Sequence, residues 1–377
     1  QGESVIRLRA WLAERLPMPA IQGFLQAQAS KPLPPHTSWW HTFGSLALFL
    51  LVNQIVTGIL LMVYYRPTTE QAFESVGFIS AKVTFGWLIR GLHAWGSTLM
   101  VIMLLFHMIR TFFSAAFKKP RELTWVAGAL TLAVTLTFCF TGYLLPWNQL
   151  SYWATTVGTE ASGAIPVVGQ GLRRLLLGGE AVSQETLSRF YVVHVVVLPW
   201  VIGALVAIHF ALIRVQGLAT LERVGEELPP KGKGWIPFFP HHVLKELMVF
   251  AVFLAAMITL VVLAPAELGE KADPLVTPSG IKPEWYFLPT YQLLKYFPQL
   301  LGLFVSMVPP LLVLIWPFLD RTKERRFSKR PVSVAIGISA IVLAVVLGLL
   351  GWVSERELTL FGSRWHFDHY GMPSRAP

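Results

Sequence analysis

The stretch HAWGSTLMVIMLLFHMIR, residues 93–110, places two histidines fourteen positions apart in a segment that is otherwise almost wholly apolar. A second segment, RFYVVHVVVLPWVIGALVAIHFALIR (189–214), repeats the arrangement with a spacing of fifteen. On an ideal helix, either spacing brings both histidines broadly to one face, about 21 Å apart along the axis. The four residues are His93, His107, His194 and His209.

The composition indicates that these segments lie in a membrane. The 377 residues are 54% hydrophobic and 14% charged, with a mean hydropathy of +0.55, which is atypical of a soluble domain. Runs of about twenty apolar residues predict seven transmembrane helices and therefore an all-α, multi-pass membrane protein. We name these spans A to G, and they cover 42–65, 87–112, 124–146, 191–213, 244–264, 299–319 and 331–352. The first thirty residues mix arginines with apolar residues and predict an interfacial amphipathic helix.

Basic loops predict the orientation of the spans. FKKPRE (117–122), DRTKERRFSKR (320–330) and the D–E loop place lysines and arginines on one side, which is therefore the cytoplasmic side or its organellar equivalent. The long C–D loop (147–190) and E–F loop (265–298) lie on the outer side. The net charge of +10 thus reflects topology and contact with anionic lipid, and nucleic-acid binding is not expected. A bacterial cytoplasmic membrane is the expected location, with an energy-transducing organelle membrane as the alternative.

Two matched histidine pairs favour haem ligation. A single buried histidine is more often hydrogen-bonded to a neighbouring helix. Spans B and D run in the same direction, so His93 is level with His194 on the outer side and His107 with His209 on the inner side. Each pair could ligate one haem iron axially. The single cysteine, Cys139, excludes a disulfide and a CxxCH haem attachment within this chain.

Glycines and arginines occur at positions that match the spacing of the histidines. Glycine allows close approach of a helix backbone, and two glycines fourteen positions apart in each of spans A and C fit a bulky group between the helices, although such pairs also serve ordinary helix packing. Arg90 and Arg110 lie three residues from His93 and His107 and could pair with haem propionates, or could serve topology alone. The glycines are Gly44, Gly58, Gly128 and Gly142.

Five further motifs are GWLIRGLHAW (86–95), FKKPRELTWV (117–126), TGYLLPWNQLSYWA (141–154), RFYVVH (189–194) and PEWYFLP (283–289). With these motifs, the chain resembles cytochrome b of quinol-oxidising cytochrome bc complexes, and most closely their chloroplast-type, plastoquinol-oxidising branch. In that branch spans A–D and E–G are two polypeptides, whereas here they are fused, with the join in the loop near 215–243. We therefore expect a di-haem four-helix bundle over residues 1–222 and a three-helix part over 223–377.

The resemblance implies a quinol:acceptor oxidoreductase with two noncovalent b-type haems. Quinol would be oxidised on the outer side with bifurcation of its electrons, and quinone would be reduced on the cytoplasmic side, building a proton gradient. Expected partners are a Rieske-type iron–sulfur protein, a c-type cytochrome and a second copy of the complex. The chemistry needs a proton acceptor beside the quinol, for which Glu284 is the candidate, with Tyr286 and Tyr143 orienting the ring. Arg214 is the candidate for the inner quinone site.

The sequence differs from the chloroplast-type branch at the residue that anchors a third haem. Chloroplast-type relatives anchor it through a cysteine early in span A, and the aligned residue here is Thr42, so a third haem would lack its covalent anchor. His36 or His41 could ligate a noncovalent version, but ordinary interfacial roles are favoured for both.

Two other functions fit parts of the sequence. A di-haem anchor of a dehydrogenase would need the histidines but not the PEWY and GYLLPW motifs. A transporter or channel would use the histidines as a proton relay and would show no haem absorbance.

Overall fold

A computed structural model describes residues 2–219, 223–224, 235–360 and 362–375. Seven helices in this part of the chain are long and apolar enough to cross a membrane, which confirms the all-α multi-pass fold. Spans A to G cover Trp39–Met62, Gly86–Phe113, Glu122–Leu144, Gln184–Gln216, Phe238–Leu263, Gln299–Leu319 and Pro331–Val353.

Local sequence accounts for several helix ends and irregularities. Span G begins with Pro331, whose missing N–H is harmless in the first turn of a helix. Span F carries Pro309, Pro310 and Pro317 inside the helix, which membrane helices tolerate. Span D starts in the outer loop as Gln184–Val192, passes through a π-helical turn at Val193–Val197 and continues as Leu198–Gln216.

Spans A to D form a bundle, and spans E, F and G pack around it. Span A packs along span B, span C along span D, and spans B and C also contact each other. Span E lies against spans A and B through a cluster that includes Leu50, Met100 and Met257. Span F contacts span C, and span G touches span B. The three carboxyl-terminal spans thus pack against the four-helix bundle.

The outer loops contain four short helices and a small sheet. The helices are Ala72–Lys82 in the A–B loop, Gln149–Gly163 and Gly169–Leu177 in the C–D loop, and Leu288–Lys295 in the E–F loop. The tail forms an antiparallel sheet of Glu357–Leu360, Ser363–Phe367 and Pro373–Arg375. The E–F loop is tied to the end of span C, because the Asn148 side chain donates to the Leu268 carbonyl at 2.7 Å.

On the side predicted to be cytoplasmic, two helices, Gly2–Arg15 and Met18–Ala29, lie where one amphipathic helix is predicted. Pro17 lies between them, and proline disfavours continuation of a helix. The following segment pairs antiparallel with the residues just before span E, Pro32–Leu33 against Ile236–Pro237. The predicted boundary at 222/223 falls at the edge of residues outside the described ranges and stays a prediction.

A buried ion cluster joins the B–C loop to the F–G loop. Lys118 Nζ lies 2.5 Å from Asp320 Oδ1, and Arg330 lies 3.4 Å from Asp320 Oδ2, with all three side chains at most 5% exposed. Lys118 also donates to the Thr322 hydroxyl at 2.8 Å, and Arg330 to the Phe113 carbonyl at 2.8 Å. The cluster therefore fixes the carboxyl-terminal spans to the bundle on the cytoplasmic side.

Candidate functional site

The four span histidines form two pairs, one at each membrane level. The ring centroids of His93 and His194 are 6.4 Å apart, and those of His107 and His209 are 6.5 Å apart. Two imidazoles that bind one metal from opposite sides, each at a metal–nitrogen distance of about 2 Å, have centroids roughly 6.3 Å apart. Both pairs therefore have the separation that bis-histidine ligation of an iron needs.

Each predicted glycine faces one of these imidazoles. A Cβ on Gly142 would lie 2.5 Å from His194 Cε1, and a Cβ on Gly58 would lie 3.3 Å from His93 Cε1. The inner level repeats this, with 3.0 Å between a Gly44 Cβ and His107 and 3.2 Å between a Gly128 Cβ and His209. The glycine backbones lie against the histidine rings, and their role in admitting a macrocycle stays a prediction. Because these glycines have no side chain, the imidazole rings fit between the spans.

Hydrogen bonds orient three of the four rings. His93 Nδ1 lies 2.9 Å from Thr57 Oγ1, and His194 Nδ1 lies 3.1 Å from Thr141 Oγ1. His209 Nδ1 lies 2.9 Å from the Thr124 carbonyl oxygen, which can only accept, so this Nδ1 carries the proton. These bonds leave Nε2 of the three rings as the atom with a free lone pair, which is the form a metal requires.

A π-helical turn explains how span D accommodates its longer spacing. Fifteen residues on a regular helix rotate the second histidine about 60° past the first, whereas fourteen leave it about 40° short. The turn at Val193–Val197, which contains His194, takes up one extra residue. Both histidines of span D therefore face span B.

The outer site brings the three predicted residues together. Tyr286 and Tyr143 both lie close enough to Glu284 to interact with its charge, and Tyr286 also lies close to the Cys139 thiol. Burial raises the pKa of the Glu284 carboxyl above its usual range, and burial also raises the pKa of Tyr286. The Tyr143 hydroxyl is buried without a partner among the described residues. A half-buried carboxyl and an unpartnered phenol therefore converge near the outer histidine pair, since Tyr143 directly follows Gly142.

The two arginines have different surroundings. The Arg90 guanidinium donates to the carbonyls of Ala266 at 2.7 Å and Glu267 at 2.9 Å, which holds the E–F loop against span B. A propionate at Arg90 would compete with these bonds, so that role stays a prediction. Arg110 lines the inner cavity together with Arg214.

The inner cavity has a volume of about 1170 Å³ and includes the His107–His209 pair. Small-molecule pockets typically measure about 300–1,000 Å³, so this cavity is large for one ligand. His41 lines it, with Nε2 buried and unpartnered among the described residues, while Nδ1 accepts from the Ser38 N–H at 3.0 Å. His36, also at the cavity, lies 3.2 Å from the Ala219 carbonyl. Thr42 is buried, and its hydroxyl donates to the Trp39 carbonyl at 2.6 Å.

Sequence reasoning missed a second pair at this cavity. His242 Nε2 lies 3.2 Å from Glu246 Oε1 on the first turns of span E, and both residues line the cavity wall. The signal in the sequence was a histidine and a glutamate at i, i+4, which share one helix face.

The comparisons with known proteins decide the family. The chain matches the family described as cytochrome b/b6/petB over residues 28–217 and the family described as cytochrome b (C-terminal)/b6/petD over residues 271–367. This chain belongs to the cytochrome b/b6 family. One relative, a "Cytochrome bc complex cytochrome b subunit" of Chlorobaculum thiosulfatiphilum, is 41% identical over 89% of this chain and 78% of its own length.

Two further family members mark the extent of the likeness. The cytochrome b6 of Synechococcus sp. is 44% identical over 55% of this chain and 96% of its own length, so it matches the first part alone. A solved structure described as "Hyperthermophilic respiratory Complex III" superposes with a TM-score of 0.80 at 32% identity and covers 91% of each chain. The fusion of both family parts in one chain is therefore shown, as is the link to bc-type complexes.

Proposed function

We propose that this chain is the di-haem subunit of a quinol:acceptor oxidoreductase that oxidises quinol on the outer side and reduces quinone on the cytoplasmic side. The observation that carries the proposal is the two histidine pairs, with centroids 6.4 and 6.5 Å apart, beside a half-buried carboxyl at the outer level. When bound, two b haems would supply a one-electron path between the two sides. Neither the dehydrogenase anchor nor the transporter accounts for both family parts in one chain.

His93 and His194 would hold the outer haem, and His107 and His209 the inner one. The supporting features are the hydrogen bonds that leave Nε2 available and the glycines that admit the rings. Arg110, which faces the inner cavity, is a candidate partner for a propionate there.

Glu284 would accept a proton from the quinol hydroxyl. Burial penalises the carboxylate, so the carboxyl holds its proton to a higher pH than an exposed glutamate does. A carboxylate with a raised pKa is a stronger base than an exposed one, which suits it to accept the quinol proton. Tyr143 and Tyr286 would orient the quinol ring, and the free hydroxyl of Tyr143 is available for a hydrogen bond.

The quinone would be reduced at the inner cavity, where Arg214 and the His242–Glu246 pair lie on the wall. Arg214 can bind a quinone oxygen or a propionate, and the pair can supply a proton from the cytoplasmic side. Expected partners are a Rieske-type iron–sulfur protein, a c-type cytochrome and a second copy of the complex. A third haem stays an open prediction, without a covalent anchor at Thr42.

Substitution of Glu284 by glutamine tests the outer site. The variant keeps size and hydrogen bonding but accepts no proton, so quinol-dependent reduction should slow by about 10²–10⁴-fold while haem content stays normal. The wild-type rate should rise as the pH rises through the raised pKa of the carboxyl. The rate of the variant should not show this rise. Glu270→Gln, an exposed position in the same loop, is the matched control. Full turnover with an unchanged pH limb in Glu284→Gln would contradict the proposal.

A further inference from the structure

A threonine directly precedes each outer-level glycine that faces a histidine. Span A has Thr57 before its outer glycine, and span C has Thr141. The equivalent inner positions are Phe43 and Ala127, which have no hydroxyl. The two histidine pairs, which share a spacing and a glycine ladder, therefore differ in the groups that contact their Nδ1 atoms.

Thr57 is fixed as an acceptor for His93. Its side chain is 3% exposed, and its hydroxyl donates to the Asn53 carbonyl at 2.6 Å. The hydroxyl proton is thereby committed to the helix backbone, so the contact of 2.9 Å with His93 Nδ1 uses an oxygen lone pair. The ring must donate through Nδ1–H, which leaves Nε2 for the metal.

Thr141 repeats this arrangement with one difference. Its hydroxyl donates to the Thr137 carbonyl at 2.9 Å and contacts His194 Nδ1 at 3.1 Å. The Thr141 contact with His194 is longer than the 2.9 Å contact of Thr57 with His93. Thr57 therefore makes the stronger hydrogen bond of the two.

We propose that Thr57 and Thr141 are positioning residues that hold the reduction potential of the outer haem down, with Thr57 having the larger effect. An acceptor on Nδ1–H makes the imidazole a more basic ligand, which stabilises the oxidised iron. At the inner level a backbone carbonyl serves His209, and a side-chain substitution does not remove it. The proposal rests on the haem ligation set out under the proposed function.

Redox titration of the purified complex, followed by the absorbance of each haem, tests the proposal. Thr57→Val keeps the shape of the side chain and removes the acceptor, so the outer midpoint potential should rise while the inner one stays constant. The reduction equilibrium should change by about twofold to tenfold, and tenfold is about 59 mV for one electron. Thr141→Val should shift the outer potential less. Thr57→Ser should match wild type, as should Thr137→Val, an exposed position one turn from Thr141.

Several results would overturn the proposal. These are an unchanged outer potential in Thr57→Val, equal shifts of both haems, or the same shift in Thr57→Ser. If Thr57→Val loses the outer haem, retention of that haem in Thr57→Ser supports the proposal, and its loss in both variants overturns it. A wild-type complex without b haem would refute the proposed function itself, a result that the variants cannot imitate.

Discussion

A methyl group at Gly142 should specifically disturb the outer histidine pair. The added Cβ would lie 2.5 Å from His194 Cε1 and 3.1 Å from Nδ1, well inside van der Waals contact. The ring has little freedom to withdraw, because Thr141 holds Nδ1 and Phe138 packs edge-on with its centroid 5.3 Å away. Overpacking of this kind costs about 1–3 kcal/mol, which corresponds to about a 5- to 150-fold loss of haem affinity at that site.

The glycines of this chain provide a graded series for the assay. Haem content and redox titration of Gly142→Ala should show depletion of the outer haem and retention of the inner one. Gly58→Ala, whose Cβ would lie 3.3 Å from His93, should have a milder effect. Gly203→Ala in span D has no described heavy atom within 4 Å of its Cβ and should behave as wild type. Full outer haem content in Gly142→Ala, or an equal loss in Gly203→Ala, would refute the steric reasoning.

Two further substitutions test the ligands and the ion cluster. His194→Leu should remove the outer haem and spare most of the inner one, and retention of both centres in a redox titration would contradict ligation by His194. Asp320→Asn should lower the free energy of unfolding by about 3–5 kcal/mol in detergent, because Lys118 and Arg330 stay buried without the carboxylate. Burial alone would raise the pKa of Asp320, but hydrogen bonds, with that from Lys118 the strongest, hold it below its usual range. Wild-type stability should therefore fall as the pH drops through that lowered pKa, and the asparagine variant should lose this dependence. Glu180→Gln, at an exposed pair, should change stability by less than about 1 kcal/mol, and an equal loss there would contradict the role of burial.

The spans were predictable because twenty apolar residues in sequence have one stable arrangement in lipid. The pairing of His93 with His194 also followed from matched spacing and parallel direction. The sequence did not predict the π-helical turn at Val193–Val197, because an extra residue in a helix leaves no compositional mark. It also did not predict that the imidazoles contact the glycines, since side-chain orientation depends on both helices at once.

Loop contacts were the least predictable part of the structure. Arg90 was a candidate for a propionate or for topology alone, and the sequence did not predict that it binds carbonyls of Ala266 and Glu267 from a loop 176 and 177 residues away in the chain. Irregular loops have no periodicity from which such contacts can be inferred. The His242–Glu246 pair was overlooked because it lies outside the two matched histidine pairs of spans B and D.

Absorbance-monitored redox titration of the purified wild-type complex measures whether this chain holds two b haems between spans B and D. We expect a Soret band and two one-electron centres of b type that quinol reduces. An absence of haem absorbance, or a single centre that persists in both His93→Leu and His107→Leu, would contradict this expectation.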